Sequence, residues 1–230
     1  MPLHTQHLAG SQLSEQDIAD IYALRISIAP RRSDVDAQSD YNGVHAFIRK
    51  SQYVSLTRDT DTRQLKACFV VYYALRPIDG KNCTVVEPEY GYATPDLRGG
   101  HIAKLFARIL LRIKLRFWYR PIYIVGCGYP HSYISFARHY AGSFFTLASA
   151  DIPPFERAIL VDFLQRKTQS TEPPTGLLRV AVLHSETSEE HIQRLQRAPQ
   201  YADYLAQNPH WQEGYTLGFV VRVGWRTLLF

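Results

Sequence analysis

One stretch, residues 87–106, constrains the fold more than any other part of the chain. It begins as an extended, aromatic-rich run, turns at residues 94–96 and passes through Gly99 and Gly100. A periodic apolar pattern then predicts a long helix over residues 102–116. A strand, a glycine turn and a helix in this order direct several backbone N–H groups at one point, and this arrangement favours an anion such as a pyrophosphate.

The residues of this turn, Arg98-Gly99-Gly100-His101-Ile102-Ala103, resemble the Arg/Gln-x-x-Gly-x-Gly/Ala acyl-CoA loop of the GNAT superfamily of N-acetyltransferases. Pro95 before the arginine and Lys104-Leu105 after the motif also fit that family's usual run. One position departs, because His101 stands where the family usually has its first motif glycine. The resemblance implies that the following residues bind the diphosphate of an acyl-CoA donor: Arg98, Gly99, Gly100, His101, Ile102 and Ala103.

The elements around the loop follow the order that is typical of this superfamily. Apolar, aromatic and β-branched runs predict strands at 53–57, 65–75, 83–94 and 122–126. The last two strands, joined through the long helix, form a parallel βαβ unit. The resemblance therefore implies an α/β fold: a GNAT-like mixed, mainly antiparallel sheet that is flanked by helices and opened where two parallel strands splay apart.

The ends of the chain carry weaker patterns. Residues 1–12 are predicted to be loosely ordered, Ser14 is the predicted N-cap of a helix over residues 14–28, and a second short helix is predicted near residues 42–51. Beyond Phe145 the resemblance fades. In that part of the chain the patterns predict helices at 154–166 and 188–204, a strand at 177–183, and one or two strands over 215–230 that are broken near Gly224.

We expect the chain to form a single GNAT-like domain, 1–230. In this interpretation residues 14–145 are the donor-binding core. The divergent part, 146–230, completes the same sheet and shapes the acceptor side.

Transfer of an acyl group from a thioester to an amine requires a base for the amine proton. Glu87 and Glu89 alternate with Pro88 on the strand before the loop, so both are predicted to point to one face. The resemblance implies that Glu87 is the base; the alternative is a pair of exposed carboxylates. Glu89, Tyr90 and Tyr92 are candidates to bind the acceptor, although aromatic residues in strands often serve only in packing.

The departing thiolate requires an acid. Members of the superfamily often place a tyrosine near the donor sulfur, and a gapless alignment puts Phe136 at that position. Tyr140 and Tyr133 are therefore the candidates. Direct attack is preferred to an acyl-enzyme on Cys127, since no cysteine has a convincing activating partner. The cysteines and histidines show no metal-ligand spacing, so we expect no metal.

His101 has three interpretations. It hydrogen-bonds a phosphate, it marks a site that has lost ordinary CoA binding, or it faces solvent at the start of the helix.

The formal net charge of +5 comes with a cluster of cations on the long helix and its exit: Lys104, Arg108, Arg112, Lys114, Arg116 and Arg120. Such a field attracts a CoA phosphate, an acidic carrier protein or RNA. We favour an ordinary basic surface over nucleic-acid binding. Because no run of eighteen apolar residues and no secretory signal is visible, we expect a cytoplasmic protein without a membrane partner.

The leading hypothesis is an N-acyltransferase that moves an acyl group from acyl-CoA, either acetyl-CoA or a longer thioester, to a small-molecule amine. One alternative is an enzyme similar to N-acyl amino acid synthases, which takes its acyl group from acyl carrier protein. Another is a non-catalytic GNAT-like binding module. A homodimer paired through the strands that end at Phe230 also stays open.

Overall fold

A computed structural model describes residues 2–97, 100–172, 174–181, 193 and 195–225. Its helices and strands are β1 Leu3–Leu8, α1 Glu15–Ile28, α2 Ala37–Lys50, β2 Tyr53–Asp59, β3 Leu65–Ile78, β4 Lys81–Ala93, α3 Gly100–Arg116, β5 Ile122–Gly128, α4 Pro130–His139, β6 Phe144–Phe145, α5 Pro154–Thr168, β7 Leu177–Arg179, α6 Pro199–Gln207 and β8 Tyr215–Val223. Among the described residues, no helix is long and apolar enough to cross a bilayer.

The chain divides into two compact units. The first comprises Met1–Tyr73 and Glu87–Trp118, and the second comprises Ala74–Val86 and Tyr119–Phe230. In the first unit the strand order is β1-β2-β3-β4, with β1 antiparallel to β2 and β2 antiparallel to β3. In the second unit the order is β4-β5-β8-β6, and β7 also pairs with β8.

Helices cover both faces of the first unit's strands. Val54 and Leu56 of β2 pack with the apolar side chains of α1 and α2 in one core cluster. The ring of Phe69 on β3 instead meets Phe106 of α3, with ring centroids 5.2 Å apart. Phe69 pairs with Ser55, which lies between Val54 and Leu56 on β2. Because successive strand residues point to opposite faces, α3 lies across the strands from α1 and α2.

The second unit contains the parallel pair. Strand β4 pairs with β5 in parallel register, with Thr84 opposite Ile122 and Val86 opposite Ile124. Strand β8 runs antiparallel to β5. The predicted fold class is therefore confirmed: mixed and mainly antiparallel strands, flanked by helices, with a parallel pair. Helix α5 buries one apolar face against these strands, and it contributes Ile159, Leu160, Phe163 and Leu164.

Several predicted boundaries differ from the observed ones. The start of the chain is not loosely ordered, since β1 is an edge strand whose register runs from Leu3 opposite Asp59 to Leu8 opposite Val54. Helix α2 begins at Ala37 rather than at residue 42, because the carboxylate of Asp36 accepts a hydrogen bond from the Ser39 N–H at 2.7 Å and caps it. The capping by Ser14 at the start of α1 is confirmed.

Strand β7 is shorter than predicted and ends at Arg179, whereas strand β8 ends at Val223, next to the predicted break near Gly224. The predicted helix cap at residues 188–191 and the predicted strand end at 226–230 lie outside the described residues.

A row of polar side chains lies where β1 and β2 meet α3. The Nε2 atom of His101 lies 3.0 Å from the Oγ1 atom of Thr57, which also contacts the hydroxyl of Thr5 at 3.0 Å. Beside them, the Nδ1 atom of His7 lies 2.8 Å from the hydroxyl of Ser55. Thr57 and Ser55 are fully buried, so the two imidazoles satisfy hydroxyls that water does not reach.

The histidines of this row make stability depend on pH. Burial lowers the pKa of His7, and the charges of Arg112 and Arg108 lower it further. The pKa of His101 is lowered by burial and then by Lys104 and Arg108. Below about pH 6.5 the unfolded chain binds protons that the folded chain does not, so the free energy of unfolding decreases as pH falls.

We predict that urea denaturation will show this loss between about pH 7 and pH 5. The His7→Asn/His101→Asn variant should lose less stability over the same range than the unchanged chain. The exposed His4 offers a matched control, and His4→Asn should follow the unchanged chain. Parallel pH curves for the unchanged chain and the double variant would contradict this account.

Candidate functional site

The end of β4 is followed by a short, hydrogen-bonded turn at residues 94–97 in the first unit. The backbone N–H of Thr94 donates to the carbonyl of Lys66 at 2.8 Å, and the N–H of Leu97 donates to the carbonyl of Thr94 at 2.9 Å. These bonds fix the direction in which the chain leaves the strand. Helix α3 then begins at Gly100, while Arg98 and Gly99 lie outside the described residues.

The start of α3 has the properties of an anion site. The N–H groups of a first helical turn have no intrahelical acceptor, and the helix dipole adds partial positive charge there. The first turn contains no acidic residue that would compete with a ligand. A Cβ atom built on Gly100 would approach the Cε atom of Lys104 at 4.0 Å, so the space beside this glycine is open.

A second glycine lets the helix start lie close to β4. A Cβ atom at Gly91 would lie 2.9 Å from the Phe69 ring and 3.3 Å from the Cγ2 atom of Ile102. The absence of a side chain at Gly91 therefore leaves room for Ile102, which is one of the predicted donor-binding residues. Its neighbour Ala103 is exposed on the first turn.

His101 does not face solvent. Its imidazole is half-buried and contacts the buried Thr57 through Nε2, so the interpretation of a solvent-facing histidine is wrong. With Nε2 directed at β2, the backbone of residue 101 remains part of the open helix start. The histidine at this position thus has a structural explanation: its side chain attaches the helix to the neighbouring strand.

The two candidate carboxylates differ in burial. Glu87 is only 3% exposed, whereas Glu89 is half-buried. The alternative of two exposed carboxylates is therefore wrong for Glu87. Both residues belong to the part of β4 that lies in the first unit, before the turn into α3.

Tyr90 and Tyr92 share one face, as predicted. Their rings stack at 6.3 Å, and both pack against the core cluster of α1 and α2. Burial, followed by the charge of Glu89, raises the pKa of Tyr90 well above its ordinary value. Burial also raises the pKa of Tyr92. Both phenols therefore stay protonated at neutral pH.

Sequence reasoning missed a buried ion pair beside these tyrosines. The guanidinium of Arg25 on α1 donates two hydrogen bonds to the carboxylate of Asp40 on α2, at 2.7 and 2.9 Å. The Tyr22 hydroxyl donates to the same carboxylate at 3.0 Å, and the guanidinium lies 5.9 Å from the centre of the Tyr90 ring. The only signal in the sequence is that Arg25 continues the apolar spacing of Ile18 and Ile21.

The two candidate acids lie in the second unit, and they differ in their hydrogen bonds. The Tyr133 hydroxyl donates to the carboxylate of Asp203 at 3.0 Å. Burial, followed by the Asp203 charge, raises the pKa of Tyr133. Burial also raises the pKa of Tyr140, which follows the last residue of α4. Phe136 packs between the rings of Tyr140 and Phe219, at 5.8 and 4.9 Å.

No group of three or more histidine, cysteine, aspartate or glutamate side chains is placed to hold a metal ion in the described part of the chain.

Comparison with known proteins gives structural matches but no sequence matches. The chain matches no protein-family model and no curated protein. Among solved structures, it is similar to a predicted acetyltransferase with acetyl-CoA from Clostridium acetobutylicum (12% identity, TM-score 0.48, 66% of this chain and 96% of that one). It is also similar to an acyl-CoA N-acyltransferase from Pseudomonas aeruginosa (14% identity, TM-score 0.43, 66% and 93%).

A third match is a probable N-acyltransferase from Enterococcus faecalis V583, with 12% identity and a TM-score of 0.46 over 64% of this chain. The chain spans about a third of the length of that protein (33%). All three matches are likenesses of fold at low sequence identity, with TM-scores of 0.43 to 0.48.

The buried ion pair provides a test of how the tyrosine face is held. Asp40→Ala leaves an uncompensated guanidinium, so urea denaturation should show a loss of about 3–5 kcal/mol in the free energy of unfolding. Arg25→Met/Asp40→Leu removes both charges and should lose much less. The more accessible pair of Arg166 and Asp162 is the control, and Asp162→Ala should cost at most about 1 kcal/mol. Equal losses in the single and double variants would refute the proposed role of the pair.

Proposed function

We propose that this chain is an N-acyltransferase that takes an acyl group from acyl-CoA and transfers it directly to a small-molecule amine. The start of α3 is the observation that carries the proposal. Strand β4 is followed by a hydrogen-bonded turn at residues 94–97, and the first turn of α3 is open at Gly100 and free of acidic residues. The motif that resembles an acyl-CoA-binding loop includes the start of this helix. Strand β5, which is parallel to β4, follows the helix.

The donor would be held mainly by its diphosphate. The backbone N–H groups of Gly100, His101, Ile102 and Ala103 are the proposed donors of hydrogen bonds, and Arg98 and Gly99 belong to the same motif. When bound, acyl-CoA supplies the activated acyl group as a thioester. The exposed Lys104 adds positive charge one turn into the helix.

The acceptor amine is proposed to bind along the tyrosine face of β4. Tyr90 and Tyr92 offer protonated phenols and stacked rings. The half-buried Glu89, whose charge acts on the Tyr90 phenol, offers a negative charge for a cationic amine. The pair of Arg25 and Asp40 acts as a positioning element, because it fixes α1 and α2 beside these rings. This arrangement suits a small amine with an apolar or aromatic part.

In the proposed reaction Glu87 accepts a proton from the amine, directly or through a water. The amine nitrogen then forms a bond to the thioester carbonyl carbon, and the carbon–sulfur bond breaks. Tyr140 protonates the departing thiolate. We prefer Tyr140 to Tyr133 because the Tyr133 hydroxyl already donates a hydrogen bond to the carboxylate of Asp203. The sequence contains three cysteines, an odd number that argues against a disulfide framework, and we propose the cytoplasm as the location.

The donor site can be tested by calorimetric titration with CoA and acetyl-CoA. We expect micromolar binding, and Gly100→Glu should weaken it by about tenfold or more because it places a like charge beside the diphosphate. Gly43→Glu is the matched control, since Gly43 is also exposed, helical and open to a side chain, and it should bind normally. No binding by the unchanged chain would refute the acyl-CoA donor, and transfer from acyl carrier protein would then identify the alternative one.

The acid and base can be tested by acyl-transfer rates, measured as released thiol. Glu87→Gln should lower kcat by about 10²-fold or more, and Tyr140→Phe should lower it by about tenfold or more. Tyr140→Phe should leave the melting temperature nearly unchanged. Tyr133→Phe should instead cost about 0.5–1.5 kcal/mol of stability, because it removes the hydrogen bond to Asp203. Unchanged rates in Glu87→Gln or in Tyr140→Phe would remove that residue from the mechanism.

A further inference from the structure

The outer face of α3 and the residues after it expose a ridge of large apolar side chains. Leu111 is 44% exposed, Leu115 is 59% exposed and Trp118 is 68% exposed. Leu111 and Leu115 are four residues apart and lie on one side of α3, and Trp118 follows in the turn after the helix ends at Arg116. The opposite face of α3 is already buried in the first unit through Ile109, Leu110 and Ile113. The ridge is therefore additional to the packing that holds the helix in the fold.

A row of cations runs beside this ridge. Arg108, Arg112 and Arg116 are exposed and recur every four residues, and Lys104 extends the row toward the helix start. Helix α3 contains no acidic residue, and the whole sequence between Asp96 and Asp151 contains none. Apolar and cationic side chains thus lie next to each other on one exposed surface, without negative charge on the same helix. We call this surface the α3 ridge; it comprises the three apolar side chains and the row of cations beside them.

We infer that the α3 ridge docks on an anionic phospholipid surface. A convex ridge of leucine and tryptophan inserts into the boundary between headgroups and acyl chains of a bilayer, where burial of apolar area stabilises binding. The neighbouring arginines reach the phosphates, and their long stems stay against the apolar region. The chemistry therefore matches a surface that offers dense negative charge above a hydrocarbon layer.

Other occupants fit this surface less well. A second copy would bring two rows of arginines together, and like charges at an interface cost affinity. A nucleic acid would pair with the arginines, yet it would leave two exposed leucines without apolar partners. An acidic protein would need a groove complementary to the ridge as well as negative charge.

This inference concerns contact with the surface of a bilayer, so it does not require a spanning helix. The sequence-based expectation of no membrane partner considered spanning segments alone. The inference is also independent of the proposed acyl transfer, because its leucines, tryptophan and arginines, residues 108–118, lie beyond the helix start that is assigned to the donor. Each can fail while the other holds.

Sedimentation with lipid vesicles tests the inference. The full chain should bind phosphatidylcholine vesicles that contain about a third phosphatidylglycerol, and it should bind pure phosphatidylcholine at least tenfold more weakly. Leu111→Ser/Leu115→Ser should weaken binding to the anionic vesicles by about tenfold or more. Arg108→Gln/Arg112→Gln should weaken it by about fivefold for each arginine and reduce its salt dependence.

Matched controls separate this docking from non-specific adhesion. Leu3→Ser removes an exposed leucine on β1, and Arg63→Gln removes an exposed cation on the β2–β3 turn; both should bind as the unchanged chain does. On a heparin column the arginine variant should elute earlier, whereas the leucine variant should elute with the unchanged chain. Thermal melting of each variant establishes that it is folded.

Three results would overturn the inference. The first is no binding to anionic vesicles at about 0.05 M salt, where electrostatic attraction is strongest. The second is vesicle binding that the leucine variant retains in full, since that would reflect net charge alone. The third is a stable complex with an acidic protein or RNA that depends on the leucines while vesicle binding does not.

Discussion

Helix α3 is held on the strands of the first unit by three contacts in its first two turns, and the position of its N-terminus follows from them. His101 contacts the buried hydroxyl of Thr57, Ile102 fills the space left by Gly91, and Phe106 meets Phe69. The three contacts are, in this order, a hydrogen bond, a close approach that the missing side chain of Gly91 allows, and an aromatic pair. Together they fix the helix start beside the end of β4, where the proposed donor site lies.

The same helix carries two different kinds of surface because its two ends have different neighbours. At its start, backbone N–H groups without intrahelical acceptors and a first turn without acidic residues favour a compact anion such as a diphosphate. Farther along, exposed cations beside leucines and a tryptophan favour an extended surface that is both anionic and apolar. The positive charge of the chain therefore has local roles that the net value of +5 does not reveal.

The sequence predicts the central part of the fold well, because that part depends on local patterns. These patterns are the apolar periodicity of α3, the β-branched runs of β2 to β5 and the helix cap at Ser14. Each of them depends only on residues that are close together in the sequence. Edge strand β1 could not be predicted in this way, because it forms by pairing with β2, which lies about fifty residues farther along the chain. The start of α2 was also missed, although Asp36 is a good helix cap.

The candidate site likewise has parts that local sequence patterns predict and parts that depend on contacts between distant residues. The motif around Gly100 and the shared face of Tyr90 and Tyr92 follow from sequence spacing. The pair of Arg25 and Asp40 and the bond from Tyr133 to Asp203 do not, because each joins residues from separate helices. Such partners become visible only when the chain is folded, and they decide which side chains are available for chemistry.

Hydrogen exchange of backbone amides on addition of saturating CoA tests the central claim most directly. The account predicts that the N–H groups of residues 100–103 exchange more slowly when the diphosphate accepts their hydrogen bonds. The amides at the start of α2, which the Asp36 carboxylate already caps, should not change. Slower exchange elsewhere without any change at residues 100–103 would contradict the assignment of this helix start to the donor.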